Sequence, residues 1–230
     1  MTQVVLIRPG ATVYDEQNRV QGTLDIPLSE RGRAEVAHLA ETLVERLNGT
    51  GHGSENGNGN GTRATNGTGQ GPGQGIDPGP PAAPSVELTA LYCGPGESVV
   101  RTAESIGKAL GLRPKRMDDL RNLDQGLWQG LQLAEIKRRN LKVFRQWLDD
   151  PITVCPPHGE TIEDALERIK TALRPVIRRH LDETIGLVVG DPIAQLIACY
   201  LRREARVQLD DHVPTGGFQR IQIPPDRQPN

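Results

Sequence analysis

Gln3-Val-Val-Leu-Ile7, closed by Arg8-Pro9-Gly10, opens the chain with a short apolar run that ends in a turn signal. A run of this length, rich in aliphatic side chains and bounded by Pro and Gly, reads as a buried, central strand followed by a turn. Ile185-Gly-Leu-Val-Val189, closed by Gly190-Asp191-Pro192, repeats the pattern late in the chain. Val86-Glu-Leu-Thr-Ala-Leu-Tyr92 reads as another strand, and Phe218 to Ile223 as an edge strand.

Helical periodicity fills the spaces between these runs. From Ser29 an apolar face carries Val36, Ala40, Leu43 and Leu47, and after Tyr92 a helix is expected through Ala103, Ile106 and Leu110. Glu135 to Leu148 reads as one helix with Ile136, Val143, Phe144 and Trp147 on its apolar side. Thr161-Ile-Glu-Asp164 has the spacing of an N-terminal capping box, ahead of the stripe Ile162, Leu166, Ile169, Leu173, Val176. A last helix carries Ile193, Leu196, Ile197 and Leu201. Alternating strands and helices predict an α/β fold: a three-layer αβα sandwich on a mainly parallel sheet, with ligand sites at the carboxyl ends of the strands. Arg8, Pro9 and Asp191 then share one rim.

Residues 48–84 interrupt this alternation. The stretch is mostly Gly, Asn, Thr and Gln, then Pro-rich, with Ile76 its one aliphatic side chain larger than Ala. It cannot bury enough apolar area to offset its ordering entropy, so it is expected to be a disordered insertion within a single domain spanning 1–230. Lengthening a loop from about 5 to about 37 residues costs only about 2 kcal/mol in closure entropy. The Asn-Gly-Thr triplets at Asn48, Asn60 and Asn66 match the glycosylation pattern but follow from the composition.

A near-balance of 27 basic and 29 acidic residues, with 3% aromatic residues, sets the chain against nucleic-acid binding. No apolar stretch approaches the ~20 residues of a membrane span, and no leader-like segment opens the sequence, so no membrane association and a cytoplasmic location are expected. Cys93, Cys155 and Cys199 are too scattered for a disulfide framework or a structural zinc site. Cys155 and His158 stand three apart without a second ligand pair. No metal and no cofactor are expected.

Leu6-Ile-Arg-Pro-Gly-Ala-Thr12, Arg19-Val-Gln-Gly22 and Asp25-Ile-Pro-Leu-Ser-Glu-Arg-Gly32 resemble the start of the histidine phosphatase superfamily, also called phosphoglycerate-mutase-like. Tyr92-Cys-Gly-Pro95 with Thr102-Ala103, Leu120 to Gly126 with Trp128 and Gly130, Pro156 to Thr161, and Leu187-Val-Val-Gly-Asp191 continue the resemblance over nearly the whole chain outside the insertion.

The resemblance implies a phosphohistidine mechanism, in which the residue after the first-strand arginine takes up the phosphoryl group. That residue here is Pro9. Its nitrogen is a tertiary amide without nucleophilicity, whereas the chemistry needs a ring nitrogen with a free lone pair. The family's phosphate-clamping arginine falls at Ser98, its general acid at Asn122 and its second histidine at Asp191. Asn122 carries an amide that delivers no proton near neutral pH. Only Arg8 keeps the family's residue.

A carboxylate at Asp191 opposes an anion by roughly 4 kcal/mol at about 4 Å and an effective dielectric near 20, and is expected to take the fork of Arg8. The expected function is that of a catalytically inactive domain that binds a protein partner or a small anionic ligand. The alternative is a phosphomonoesterase with a rebuilt site, for which Arg101, three positions and so about 60° round the helix from Ser98, and His158, in the Pro-x-Gly-Glu loop, are the compensating candidates, with Cys93 and Asp191 behind them.

Overall fold

Two apolar strands lie side by side at the centre of the computed structural model, which describes residues 1–47, 87–207, 209 and 213–223. The expected disordered insertion, 48–84, lies outside the described residues. The strands are β1 (Thr2–Ile7), β2 (Leu88–Cys93), β3 (Lys115–Arg116), β4 (Thr184–Val188) and β5 (Phe218–Ile223), in the sheet order β3-β2-β4-β1-β5. β4 runs parallel to both β1 and β2, β3 parallel to β2, and β5 antiparallel to β1 at the edge. The sheet is therefore mixed but mainly parallel.

The helices are α1 (Val13–Glu16), α2 (Glu30–Leu47), α3 (Glu97–Leu110), α4 (Leu133–Arg139), α5 (Leu141–Asp149), α6 (Ile162–Arg179) and α7 (Ile193–Arg202). Side chains alternate across a strand, and β1 feeds two separate cores. Val5 and Ile7 pack with Leu39 and Leu43 of α2 and with Val99, Ala103 and Ile106 of α3. Val4 and Leu6 face Ile169, Leu173 and Ile177 of α6 and Leu196 and Ile197 of α7. Each fully buried Leu or Ile stabilises by about 1.5–3 kcal/mol. Burial on both faces is why β1 and β4 read as unbroken apolar runs rather than alternating ones.

Thr161 caps α6 by accepting from the Asp164 N–H at 3.1 Å, and its hydroxyl donates back to Asp164 Oδ2 at 2.6 Å. The stretch expected as one helix over Glu135 to Leu148 is two, α4 and α5, broken at Asn140 with φ −140° and ψ 60°. Ile136 from one helix and Val143, Phe144 and Trp147 from the other all reach a satellite core with Val20, Trp128 and Val154. Among the described residues no helix is long and apolar enough to cross a membrane.

Candidate functional site

Because β1 and β4 are parallel neighbours with Ile7 opposite Val188, the turns that follow them leave the sheet at the same rim. The Val189 N–H donates to the Ile7 carbonyl at 3.1 Å, extending the pairing up to that rim. Arg8 and Asp191 stand at its two sides. Pro9 is buried between them and the next loop, its carbonyl accepting from the Gly216 N–H at 3.0 Å. Gly10 follows because a β-carbon there would sit 2.3 Å from the Gly32 carbonyl oxygen, so the turn and the start of α2 meet backbone to backbone.

The Arg8 guanidinium is shared among several acceptors. Nη1 donates to the Val213 carbonyl at 2.9 Å and lies 3.1 Å from Asp191 Oδ2, while Nη2 lies 3.5 Å from Asp15 Oδ1. Asp191 thus reaches the arginine, as the resemblance implies, but it does not take the whole fork: the second nitrogen turns to Asp15. Asp15 is itself held by α1, where its Oδ2 accepts from the Thr12 N–H at 2.8 Å and the Thr12 hydroxyl at 2.7 Å. Thr12-x-x-Asp15 is a capping-box spacing, a signal that sequence reasoning passed over.

Asn122 is built into the same rim. Its Nδ2 donates to the Asp191 backbone carbonyl at 2.7 Å and its Oδ1 accepts from the Leu123 N–H at 3.0 Å. Both ends of the amide are used, so the residue fastens the turn after β4. Ser98 sits in the first turn of α3 at 2% exposure. The Thr102 hydroxyl donates to its carbonyl at 2.8 Å and accepts from the Gly10 N–H at 3.3 Å, tying α3 to the first turn.

Around this rim opens a cleft of about 600 Å³, lined by Arg8, Pro9, Ser98, Asn122 and Asp191 together. Its walls add residues that the sequence did not mark: Asp15, Arg19, Gln195 of α7, and an apolar side from Leu24, Leu133, Phe144 and Trp147. The proposed compensating residues are elsewhere. Arg101 points to solvent, 65% exposed, and pairs with Glu104 at 3.3 Å. On α3 the face that buries Ser98, Thr102 and Ala103 is the one packed on the sheet, and Arg101 lies off it. His158 is exposed in a loop with φ +62° and is not among the residues lining the cleft. That loop is fixed by its backbone: Pro157 accepts from the Leu127 N–H at 3.0 Å, and the His158 carbonyl carbon leaves no room for a β-carbon at Gly126.

Cys93 ends β2, and burial, the largest cause, pushes its thiol up to about 11, so no thiolate nucleophile is available there near neutral pH. Among the described residues no cluster of three His, Cys, Asp or Glu side chains is placed to hold a metal ion.

A family model described as "Histidine phosphatase superfamily (branch 1)" matches residues 4–49 and 81–228, leaving out most of the stretch read as an insertion. The chain is 24% identical over 188 residues to phosphoserine phosphatase 1 of Hydrogenobacter thermophilus, covering 82% of this chain and 70% of that one. A bifunctional protein of Mycobacterium tuberculosis is 27% identical over 198 residues, 85% of this chain but 43% of its own length, so the chain spans less than half of that relative. Among solved structures, Bacillus stearothermophilus YhfR superposes with a TM-score of 0.71 at 21% identity, covering 98% of this chain and 93% of that one. A mycobacterial glucosyl-3-phosphoglycerate phosphatase solved with VO3 gives a TM-score of 0.71 at 20% identity, over 95% and 91% of the two chains.

Proposed function

Because the chain belongs to the histidine phosphatase superfamily, branch 1, and carries Pro9 beside an arginine already paired to Asp191, we propose that it does not transfer phosphoryl groups. It works by binding, to a protein partner or to a small ligand in the cleft. The observation that carries this reading is the 3.1 Å contact between Arg8 Nη1 and Asp191 Oδ2. The only arginine retained from the family's site is engaged by an internal carboxylate, and a phosphoryl group entering there meets negative charge where a working relative offers positive charge. Pro9 supplies no nucleophile, and Asn122 spends both ends of its amide on backbone.

The test is turnover of a general phosphomonoester panel by purified full-length protein, together with a search for acid-labile phosphoprotein. The expected result is hydrolysis no faster than the buffer blank. Pro9→His alone leaves that unchanged, since residues that act as a unit fail as a unit. Turnover that Asp191→Ala abolishes would overturn the reading.

A second reading, a phosphatase with a rebuilt site, draws support from the relatives, several of which carry phosphatase names. With Arg101 and His158 outside the cleft, Asp15, Glu16 and Asp191 are the carboxylates left to it, with the half-buried Arg8 between Asp15 and Asp191. Carboxylate nucleophiles generally work with a metal or several cations on the phosphate. We also place the protein in the cytoplasm, a reading supported by its cysteines, Cys93, Cys155 and Cys199, all free thiols.

A further inference from the structure

Between Leu133 and Leu148 the chain carries five basic residues, Lys137, Arg138, Arg139, Lys142 and Arg145, and one acidic residue, Glu135, although its formal charge as a whole is −2. All five basic residues are exposed. Arg139 pairs with Glu135 across one turn of α4, whereas Lys137, Arg138, Lys142 and Arg145 make no ion pair among the described residues. Helix stability accounts for only part of this. Lys137, Arg138 and Arg139 close α4, where cations suit the carbonyl end of a helix. α5 has the reverse order, with Lys142 in its first turn and Asp149 in its last, so these charges work against the helix's own dipole. The same face holds exposed leucines. At about 100° per residue, Leu141, Arg145 and Leu148 share a stripe along α5 beside the one from which Val143, Phe144 and Trp147 reach the satellite core. Leu141 is 42% and Leu148 63% exposed, and on α4 Leu133, 45% exposed, stands one turn before Lys137. Leu133 and Leu148 both line the mouth of the cleft, so the exposed faces of the two helices join there.

We infer that this face, α4 with the solvent side of α5, docks an acidic amphipathic segment of a protein partner, its carboxylates meeting Lys137, Arg138, Lys142 and Arg145 and its apolar side chains meeting Leu141 and Leu148. The two leucines stand about 10 Å apart along the helix, a spacing that two turns of a partner helix reproduce. A flat anionic membrane suits the face less, because Asp149 and Asp150 are exposed at its end and acidic residues outnumber basic ones over the rest of the chain. Nucleic acid suits it less too, since its exposed apolar residues are leucines, which offer bases no stacking surface. This rests on the reading of the chain as a binder of a protein partner, and it supplies that partner's chemistry.

The probe is a fluorescein-labelled helical peptide with leucine along one face and glutamate elsewhere, titrated into the full-length protein and followed by anisotropy. A peptide of equal length and charge with glutamine in place of every leucine, vesicles of phosphatidylserine with phosphatidylcholine, and a single-stranded oligonucleotide are titrated beside it. The expected result is saturable binding of the leucine peptide and at least about tenfold weaker binding of the other three. Binding of the leucine peptide weakens as salt rises, because contacts between exposed charges are screened. Lys142→Glu with Arg145→Glu weakens it about tenfold, whereas the same reversals on the exposed side of α6, Arg174→Glu with Arg179→Glu, change it less than about twofold. Leu141→Gln with Leu148→Gln also weakens it about tenfold. Should the α5 variants not fold, the four probes on the natural protein decide. Failure of the leucine peptide to bind, equal weakening by the α5 and α6 reversals, or tighter binding of the vesicles or the oligonucleotide overturns the inference and leaves the non-hydrolytic reading standing. Turnover of a phosphomonoester by the natural protein overturns the non-hydrolytic reading, and is scored separately on the same preparation.

Discussion

Arg8 and Arg168 are both arginines drawn into the protein, at 19% and 9% side-chain exposure, and they are satisfied in different ways. Arg168, on α6, meets Glu160 with two nitrogens, Nε at 2.9 Å and Nη2 at 2.7 Å, and gives Nη1 to the carbonyls of Asp119 and Arg121 at 2.5 and 3.0 Å. Arg168 closes a fork-to-fork pair on Glu160, which Arg121 also reaches at 3.2 Å, and the leftover donor ties down the segment that leads to Asn122. Arg8 lies between two carboxylates, each at 3.1 Å or more, and no fork closes. The first arrangement is what a structural latch looks like: short and bidentate. The second divides one guanidinium between two carboxylates and a carbonyl at the rim of the cleft. The difference separates a latch that ties α6 to a distant segment from a guanidinium shared at the cleft's rim.

The largest effect that would break this comparison concerns stability. Arg168→Ala leaves Glu160, itself 11% exposed, with only the more exposed Arg121 at 3.2 Å, and is expected to cost about 3 kcal/mol in urea unfolding. Arg8→Ala is expected to cost less, about 1–3 kcal/mol, because Asp15 keeps its bonds to Thr12 and the carboxylates are nearer to water. If Arg8→Ala proves the more damaging, the latch and the site have been assigned the wrong way round.

Ligand binding sharpens the contrast at a smaller scale. Asp191→Asn removes the charge that competes for Arg8 and is expected to raise affinity for inorganic phosphate about tenfold by calorimetry, whereas Glu160→Gln leaves phosphate binding unchanged. Equal responses would mean that Asp191 is no more than another structural partner.

A pH profile gives a smaller effect in a third network. His180 lies 2.8 Å from the Tyr92 hydroxyl through Nε2 and 2.7 Å from Glu183 through Nδ1. The His180 contact first, and then the Thr89 hydroxyl, hold the Glu183 carboxyl below its ordinary value of 4.5. A lowered folded-state value means that this contribution to stability is present above about pH 4.5 and is lost as pH falls through the lowered value. Glu183→Gln is therefore expected to flatten the acid limb of the stability profile slightly, with Arg8 and Asp191 unaffected. An acid limb of unchanged slope would remove Glu183 from the account.

The smallest effect belongs to the thiols. Cys155 is exposed on the loop that leads to Glu160, while Cys93 and Cys199 are buried, so one thiol is expected to react quickly with iodoacetamide in the folded protein. Its alkylation should leave the urea midpoint essentially unchanged, since the latch is made by Glu160 and not by the cysteine. Rapid loss of all three thiols would show that the core opens far more readily than its packing implies.

The sequence by itself determined the frame. β1 and β4 announced themselves because a strand covered on both faces must be apolar throughout, and α6 did so because its cap at Thr161 and its stripe through Leu173 are local features. Pro9, Ser98, Asn122 and Asp191 could be picked out by motif and spacing, which need no third dimension, and all four line one cleft. What those residues touch was decided by tertiary structure. The break at Asn140 was not written in the apolar pattern, which continues across it onto the same satellite core. Arg101 and His158 stand near the motifs in sequence, but a helix face and a loop backbone carry them away from the cleft. Asp15 and Trp147 reach it from elements that sequence reading had no reason to connect with the rim. Periodicity and motif spacing are short-range and written residue by residue, whereas the division of one guanidinium among Asp191, Asp15 and Val213 depends on three segments meeting, and only the folded chain brings them together.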